Sequence, residues 1–192
     1  MQYILASASP RRKELLAELI EDFEIIPSQA DENVKKRFSA MLVLTLAERK
    51  ASEVAMRPES EGKIVIGSDT VVSFRGKVLG KPKDEEEAFR MLKTLSGKKH
   101  AVYTGVCLAY QKEGKYCYIA KTERTLVYFN KLSDEWIREY VASGSPMDKA
   151  GAYGIQDGGL VKKIKGSYTN VVGLPVELLG KMLKEAEKEW ND

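Results

Sequence analysis

Histidine and cysteine are scarce in this chain: His100 is the only histidine, and Cys107 and Cys117 are the only cysteines. No CxxC pair stands near them, so no zinc site of the usual Cys and His spacing can be written. The same scarcity removes Ser-His and Cys-His nucleophile schemes, and no GxSxG occurs. His100 precedes an apolar stretch without a partner motif and is assigned no catalytic role. The cysteines fall in stretches that read as strands flanking a turn. They are core residues or, if they face each other, a cross-strand disulfide.

Long apolar runs are missing too. The longest, Met41 to Ala47, contains Thr45 and is far too short to cross a bilayer. The opening Met1-Gln2-Tyr3-Ile4-Leu5-Ala6 lacks the basic start and extended apolar region of a secretory signal. These features predict no membrane partner and a cytoplasmic location. An excess of one charge is also absent, with 31 Lys and Arg against 28 Asp and Glu. That balance predicts no nucleic-acid partner, although Lys162, Lys163 and Lys165 form a short basic run. Neither a Walker A sequence nor a GxGxxG after a strand is present, which excludes the common nucleotide cradles.

What remains is a chain of 192 residues, 43% of them hydrophobic, enough to build a core in one unit covering 1–192. Gln2 to Ala6 and Phe23 to Ile26 read as strands, with a helix between them capped by Ser9 and opened by Pro10. A polar loop, Gln29 to Lys36, precedes a long helix from Ser39 to Met56. Lys63 to Gly67 reads as a buried strand, with Val71 to Phe74 continuing past Asp69. Asp84 caps a helix to Leu95. His100–Tyr110 and Tyr116–Phe129 form the clearest hairpin, and Ser133 caps a helix to Ala142. A glycine-rich region follows, with strand-like pieces around Leu160 and Val171, then a final helix from Pro175. The order mixes βαβ pieces with an antiparallel hairpin, so the predicted fold is α/β with a mixed sheet.

The first helix opens with Pro10-Arg11-Arg12-Lys13, cations where the helix macrodipole favours anions. Each exposed misplaced cation costs about 0.3–1 kcal/mol. A bound polyphosphate reverses the sign, since a charge-assisted hydrogen bond contributes about 1.5–3 kcal/mol. Ser7 and Ser9 add hydroxyl donors on the same turn, so anion binding is the favoured reading. Asp69, in Gly67-Ser68-Asp69-Thr70, reads as a carboxylate at the end of a buried strand. It is placed to hold a metal or polarise water, or simply to cap a turn. Glu32, in the preceding acidic loop, is a second candidate carboxylate, though such residues are usually only solvated. Lys50 lies between alanines that allow tight packing, and Lys81 lies in Gly80-Lys81-Pro82; either lysine suits a phosphate. Gln156, in the glycine-dense Gly151–Gly159, offers both donor and acceptor to the edge of a base.

Ser7-Ala8-Ser9-Pro10-Arg11-Arg12, Asp31-Glu32, Ala47-Glu48-Arg49-Lys50-Ala51, Gly67-Ser68-Asp69-Thr70, Gly80-Lys81-Pro82 and Tyr153-Gly154-Ile155-Gln156 occur together and in order. Each piece is weak alone; the series resembles the Maf family of nucleoside triphosphate pyrophosphatases over nearly the whole chain. The resemblance implies an elongated, twisted mixed sheet flanked by helices, two lobes with a central cleft, similar to the inosine triphosphate pyrophosphatase fold. It further implies metal-assisted hydrolysis of a nucleoside triphosphate to monophosphate and pyrophosphate, in a homodimer. Asp69 would be the catalytic carboxylate, with Glu32 and Asp69 holding Mg²⁺ or Mn²⁺. Ser7, Ser9, Arg11, Arg12, Lys50 and Lys81 would bind the phosphates. Arg11, Thr70 and Gln156 match the branch that acts on dTTP and UTP. Asn33 departs from the small hydroxyl residue common after Asp-Glu. A non-catalytic nucleotide-sensing regulator linked to cell division is the alternative. It would account for a phosphate pocket but not for pairing Asp69 with Glu32.

Overall fold

Three stretches rich in Val, Ile, Thr and Tyr, residues that fit a pleated surface, become the long strands of the computed structural model: β3 (Lys63–Phe74), β5 (Lys99–Lys112) and β6 (Lys115–Phe129). The structure describes residues 1–34 and 38–191. The last two positions of the predicted polar loop, Lys35 and Lys36, lie outside the described residues. The remaining strands are β1 (Gln2–Leu5), β2 (Glu24–Ile25), β4 (Lys77–Leu79) and β7 (Val161–Lys165). The helices are α1 (Pro10–Ala17), α2 (Ser39–Ala55), α3 (Glu85–Leu95), α4 (Asp134–Ala142), α5 (Tyr168–Val172) and α6 (Val176–Asn191).

Among the described residues the strands form one sheet in the order β2-β1-β3-β5-β6-β7, with β4 also on β3. β1 runs parallel to β2 and β3, whereas the other pairings are antiparallel, so the sheet is mixed as predicted. The β5–β6 hairpin turns at Glu113-Gly114, both with positive φ, the geometry of a two-residue hairpin turn.

Helices cover both faces. On one face Leu15 and Leu16 of α1 and Leu179, Met182 and Leu183 of α6 pack on Ile64, Ile66 and Leu108. Farther along that face, α3 and α4 cover Val72, Val102 and Val127. On the opposite face α2 lies against Ile4, Val65, Cys107 and Ala109. Gly67 and Gly105 permit its close approach. A Cβ at Gly67 would meet the Ala47 carbonyl oxygen and stand 2.7 Å from the Ala51 nitrogen; one at Gly105 would meet the Val43 carbonyl oxygen.

The structure corrects two sequence expectations and decides between the two readings of the cysteines. β3 is continuous, because β5 pairs with it from Val65 to Ser73, so Asp69 sits in mid-strand rather than at a strand end. Val171 belongs to helix α5, where the Ser167 hydroxyl caps the first turn by accepting from the Asn170 N–H. Cys107 stands opposite Ala120 and Cys117 opposite Tyr110, and the two pack in clusters on opposite faces of the sheet. They therefore cannot face each other, and both are free thiols. Burial pushes the Cys107 thiol up to about 12.

One feature of the sheet creates the cleft. β1 pairs with β3 from Lys63 to Ile66, and β4 pairs with the same edge from Val72 to Phe74. Between them, among the described residues, no strand occupies that edge of β3 over 67–71. The chain after β1 and the chain after β4 form the two walls of this notch.

Gly105→Ala is expected to destabilise the protein by about 1–3 kcal/mol through overpacking against α2. A denaturant melt checks it; an unchanged midpoint would mean that α2 can lift freely. A second test concerns His100, which is 3% exposed. Its Nε2 lies 2.8 Å from the Tyr153 hydroxyl. Burial lowers the imidazole from 6.5 to about 4, so between those values the unfolded chain binds a proton that the folded one does not. The wild type should therefore lose about 3 kcal/mol, relative to His100→Gln, as pH falls across that window. Paired melts at about pH 7 and pH 4 measure the difference, and equal losses would show that His100 protonates freely in the fold.

Candidate active site

The N-terminal wall of the notch follows directly from β1. Ser9 caps α1 by accepting from the Arg12 N–H at 3.5 Å, and Pro10 occupies the first helical position. The first turn carries no acidic residue, so the positive helix end and two arginines point their charge the same way. The arginines are used differently. Arg12 is half-buried and fixed: its guanidinium donates to the Gly173 carbonyl at 2.9 Å, to Ser7 Oγ at 3.2 Å and to Thr70 Oγ1 at 3.3 Å. Arg11 makes one exposed contact, Nη1 to Asp148 Oδ2 at 2.9 Å.

β3 and α2 supply the floor. Asp69 Oδ1 accepts from Lys50 Nζ at 2.7 Å, and the same ammonium lies 2.8 Å from Glu32 Oε1. Both the Lys50 and Asp69 side chains are 12% exposed, whereas Glu32 is 64% exposed. Alternation along β3 sends Asp69 to the α2 side and Thr70 to the other, where its hydroxyl lies 2.9 Å from Thr104 Oγ1. The notch lets one ligand meet both. Lys81 and Gly80 form the second wall, and the Gly80 carbonyl accepts from Gly151 N–H at 2.9 Å.

The resulting cleft measures about 410 Å³. It gathers Ser9, Arg11, Arg12, Glu32, Lys50, Asp69, Thr70 and Lys81 in its lining. Ser7 lines the adjoining groove, which shares both arginines and Lys50. Gln156 is not brought in: it is exposed outside the lining, although its neighbour Ile155 contributes to it. The cleft also holds residues the sequence reading did not select, namely Asp148, Lys149 and Tyr153. The one available signal for Asp148-Lys149 was two adjacent charges directly before a glycine-dense loop.

The electrostatics follow from this crowding. The Lys50 hydrogen bond outweighs burial and, with the fields of Lys50, Lys81 and Arg12, holds the Glu32 carboxyl below its usual value. Burial works to raise the Asp148 carboxyl, but Lys149 and Arg11 outweigh it, so this group also stays ionised below its ordinary range. Burial lowers the Arg12 guanidinium, opposed by Asp69 and Glu32.

Two carboxylates converging on one cation suit a divalent metal that is shared with substrate. Mg²⁺ commonly takes one or two carboxylates and fills its remaining positions with waters and phosphate oxygens. Asp69 and Glu32 fit that donor set. Among the described residues no cluster of three or more His, Cys, Asp or Glu forms a closed protein cage.

A family model described as "Maf-like protein" matches residues 2–186. The chain belongs to the Maf family. Among its Maf relatives, a dTTP/UTP pyrophosphatase of Thermococcus kodakarensis is 52% identical over 93% of this chain and 94% of its own. Another dTTP/UTP pyrophosphatase, from Carboxydothermus hydrogenoformans, is 52% identical over 96% and 98%. A solved structure of the Staphylococcus aureus Ham1 protein superposes with a TM-score of 0.57 at 14% identity, covering 97% of this chain and 100% of that one. At that identity the likeness concerns the fold, and the Maf sheet and flanking helices share it.

Exposed ion pairs such as Arg11–Asp148 contribute only about 0.2–1 kcal/mol. A triphosphate that engaged Arg11 would have to displace Asp148 and would lose little by doing so. Asp148→Asn should lower KM for a triphosphate by about twofold to fivefold at low ionic strength, with less effect as salt rises. Steady-state kinetics at two salt concentrations check this. A raised KM would make Asp148 a binding residue instead.

Proposed function

We propose that this chain hydrolyses dTTP and UTP between the α and β phosphates, releasing the nucleoside monophosphate and pyrophosphate. One observation carries the reading: a carboxylate fixed in mid-strand, Asp69, shares a cleft with Arg11, Arg12, Lys50 and Lys81. The names of relatives that are half identical over most of their length supply the substrate. Arg11, Lys81 and the positive end of α1 bind the polyphosphate, and Arg12, held by Gly173 and Ser7, orients it. Lys50 secures Oδ1 of Asp69, leaving Oδ2 to accept a proton from water. The water oxygen bonds to the α phosphorus, the bridging oxygen departs with its electron pair on pyrophosphate, and the proton passes from Asp69 to solvent. A divalent cation on Glu32 and Asp69, Mg²⁺ or Mn²⁺, would supply positive charge to the leaving pyrophosphate.

Thr70 lies in the cleft floor beside Arg12, suited to set the depth at which the base rests. Gln156 is exposed outside the lining, next to Ile155 within it, and its amide would match the carbonyl–imide edge of a pyrimidine. No described helix is long and apolar enough to cross a membrane, and the proposed setting is the cytoplasm. A homodimer is the proposed assembly, which the resemblance implies and light scattering measures.

Asp69→Asn should cut kcat for dTTP and UTP by about 10²–10⁴ while triphosphate binding persists. Removing divalent metal with a chelator should abolish turnover, and product analysis should show pyrophosphate rather than orthophosphate. Wild-type rates in the mutant, or nucleoside diphosphate as product, would overturn the assignment.

A further inference from the structure

α2 covers the middle of one sheet face and begins only at Ser39. Beyond it, the far end of that face has no helix over it among the described residues. The register shows what stands there. Ser73, Ala101, Leu126 and Lys165 form one row across four strands. Lys99, Tyr128 and Lys163 form a second, and Val71, Tyr103 and Arg124 a third. Arg75 joins them from the β3–β4 turn. Five cations therefore share this end of the sheet, and the rows contain no Asp or Glu. None of the five forms an ion pair among the described residues.

Aromatic rings lie between the cations. The Arg124 guanidinium stands 5.8 Å from the Tyr103 ring centre, and the Lys163 ammonium 4.8 Å from that of Tyr128. Where the rows meet the start of α2 there is a groove of about 450 Å³, lined by Arg75, Lys99, Tyr103, Arg124 and Leu126. Phe38, 65% exposed, forms its rim. No residue lines both this groove and the catalytic cleft, and no carboxylate lines the groove. The first turn of α2 carries no acidic residue and its N-cap side chain makes no capping bond, which adds to the positive field.

We propose that this face binds single-stranded nucleic acid, with Arg75, Lys99, Arg124, Lys163 and Lys165 on phosphates and Tyr103, Tyr128 and Phe38 against bases. Charge complementarity selects a polyanion, because five cations and no carboxylate face outward together. The rows stand about 7 Å apart along the strands, so the charge forms a track rather than a point. Rings on an open sheet reach bases that are already unstacked, which favours a single strand over a duplex. A second copy placed face to face by a two-fold axis would set cations against cations. The net charge of +3 sums over the whole chain and does not register this segregation.

The test uses fluorescence anisotropy of a labelled oligonucleotide of about 12 nucleotides with hydroxyl ends, in chelator so that no turnover occurs. Binding is expected at about 50 mM salt and should weaken tenfold or more by about 200 mM. Arg75→Glu/Lys99→Glu/Arg124→Glu should remove it, and Lys99→Ala/Arg124→Ala should weaken it at least fivefold. Both variants should keep the wild-type melting temperature and dTTP hydrolysis. If the triple variant does not fold, the alanine pair decides. Saturating dTTP should not displace the oligonucleotide. Absence of binding at low salt overturns the proposal, as does binding that survives the alanine pair or is displaced by dTTP. Equal or tighter binding of duplex, of an acidic peptide or of anionic vesicles overturns it as well.

Discussion

The cleft depends on one ammonium group. Lys50 Nζ sits 2.7 Å from Asp69 and 2.8 Å from Glu32, tying helix, strand and loop together at a point. Lys50 and Asp69 are mostly buried and Glu32 is exposed. Removing the ammonium therefore strands chiefly the Asp69 charge, at a cost below the roughly 3–5 kcal/mol of a fully buried pair. Its placement depends in turn on how closely α2 approaches the sheet. The two glycines beneath the helix remove the side chains that would hold it off. A lysine of ordinary length then reaches a carboxylate on the strand below. A packing detail of the core thus fixes the geometry of the charged centre.

The first helix was well read from the sequence because its signal is local. Ser9, Pro10 and the run of cations need no tertiary information, and the cap and the charged opening occur as expected. The same holds for the long hairpin, whose turn residues and β-branched flanks agree with each other. Asp69 stands out in the sequence and lines the cleft, but from mid-strand: Gly67-Ser68-Asp69-Thr70 looks like the close of a strand by propensity. Pairing with β5 overrides that local preference. Glu32 is only a weak candidate without the family pattern, because an acidic loop residue has no periodicity to distinguish it. Asp148 and Lys149 join the site from far along the chain through 3₁₀ turns, where neither a helical nor a strand period applies.

The adjacent arginines show how one charged motif divides its labour. Arg12 spends its donors on Gly173, Ser7 and Thr70 and so locks the end of α5 to α1 and β3. Arg11 has a single solvent-exposed partner and gives it up at little cost. An ion-paired Arg11 beside a hydrogen-bonded Arg12 eases the concentration of positive charge in the cleft before any anion arrives.

The notch between β1 and β4 has a further consequence, for solubility. An unpaired strand edge ordinarily invites another chain to add itself as a new strand. Here the stretch of β3 without a neighbouring strand among the described residues is confined between two occupied stretches and walled by the chain leaving β1 and the chain leaving β4. A small molecule fits between those walls; an extended polypeptide needing several consecutive partners does not. The fold can therefore interrupt the pairing along one edge of an interior strand without offering a template for aggregation.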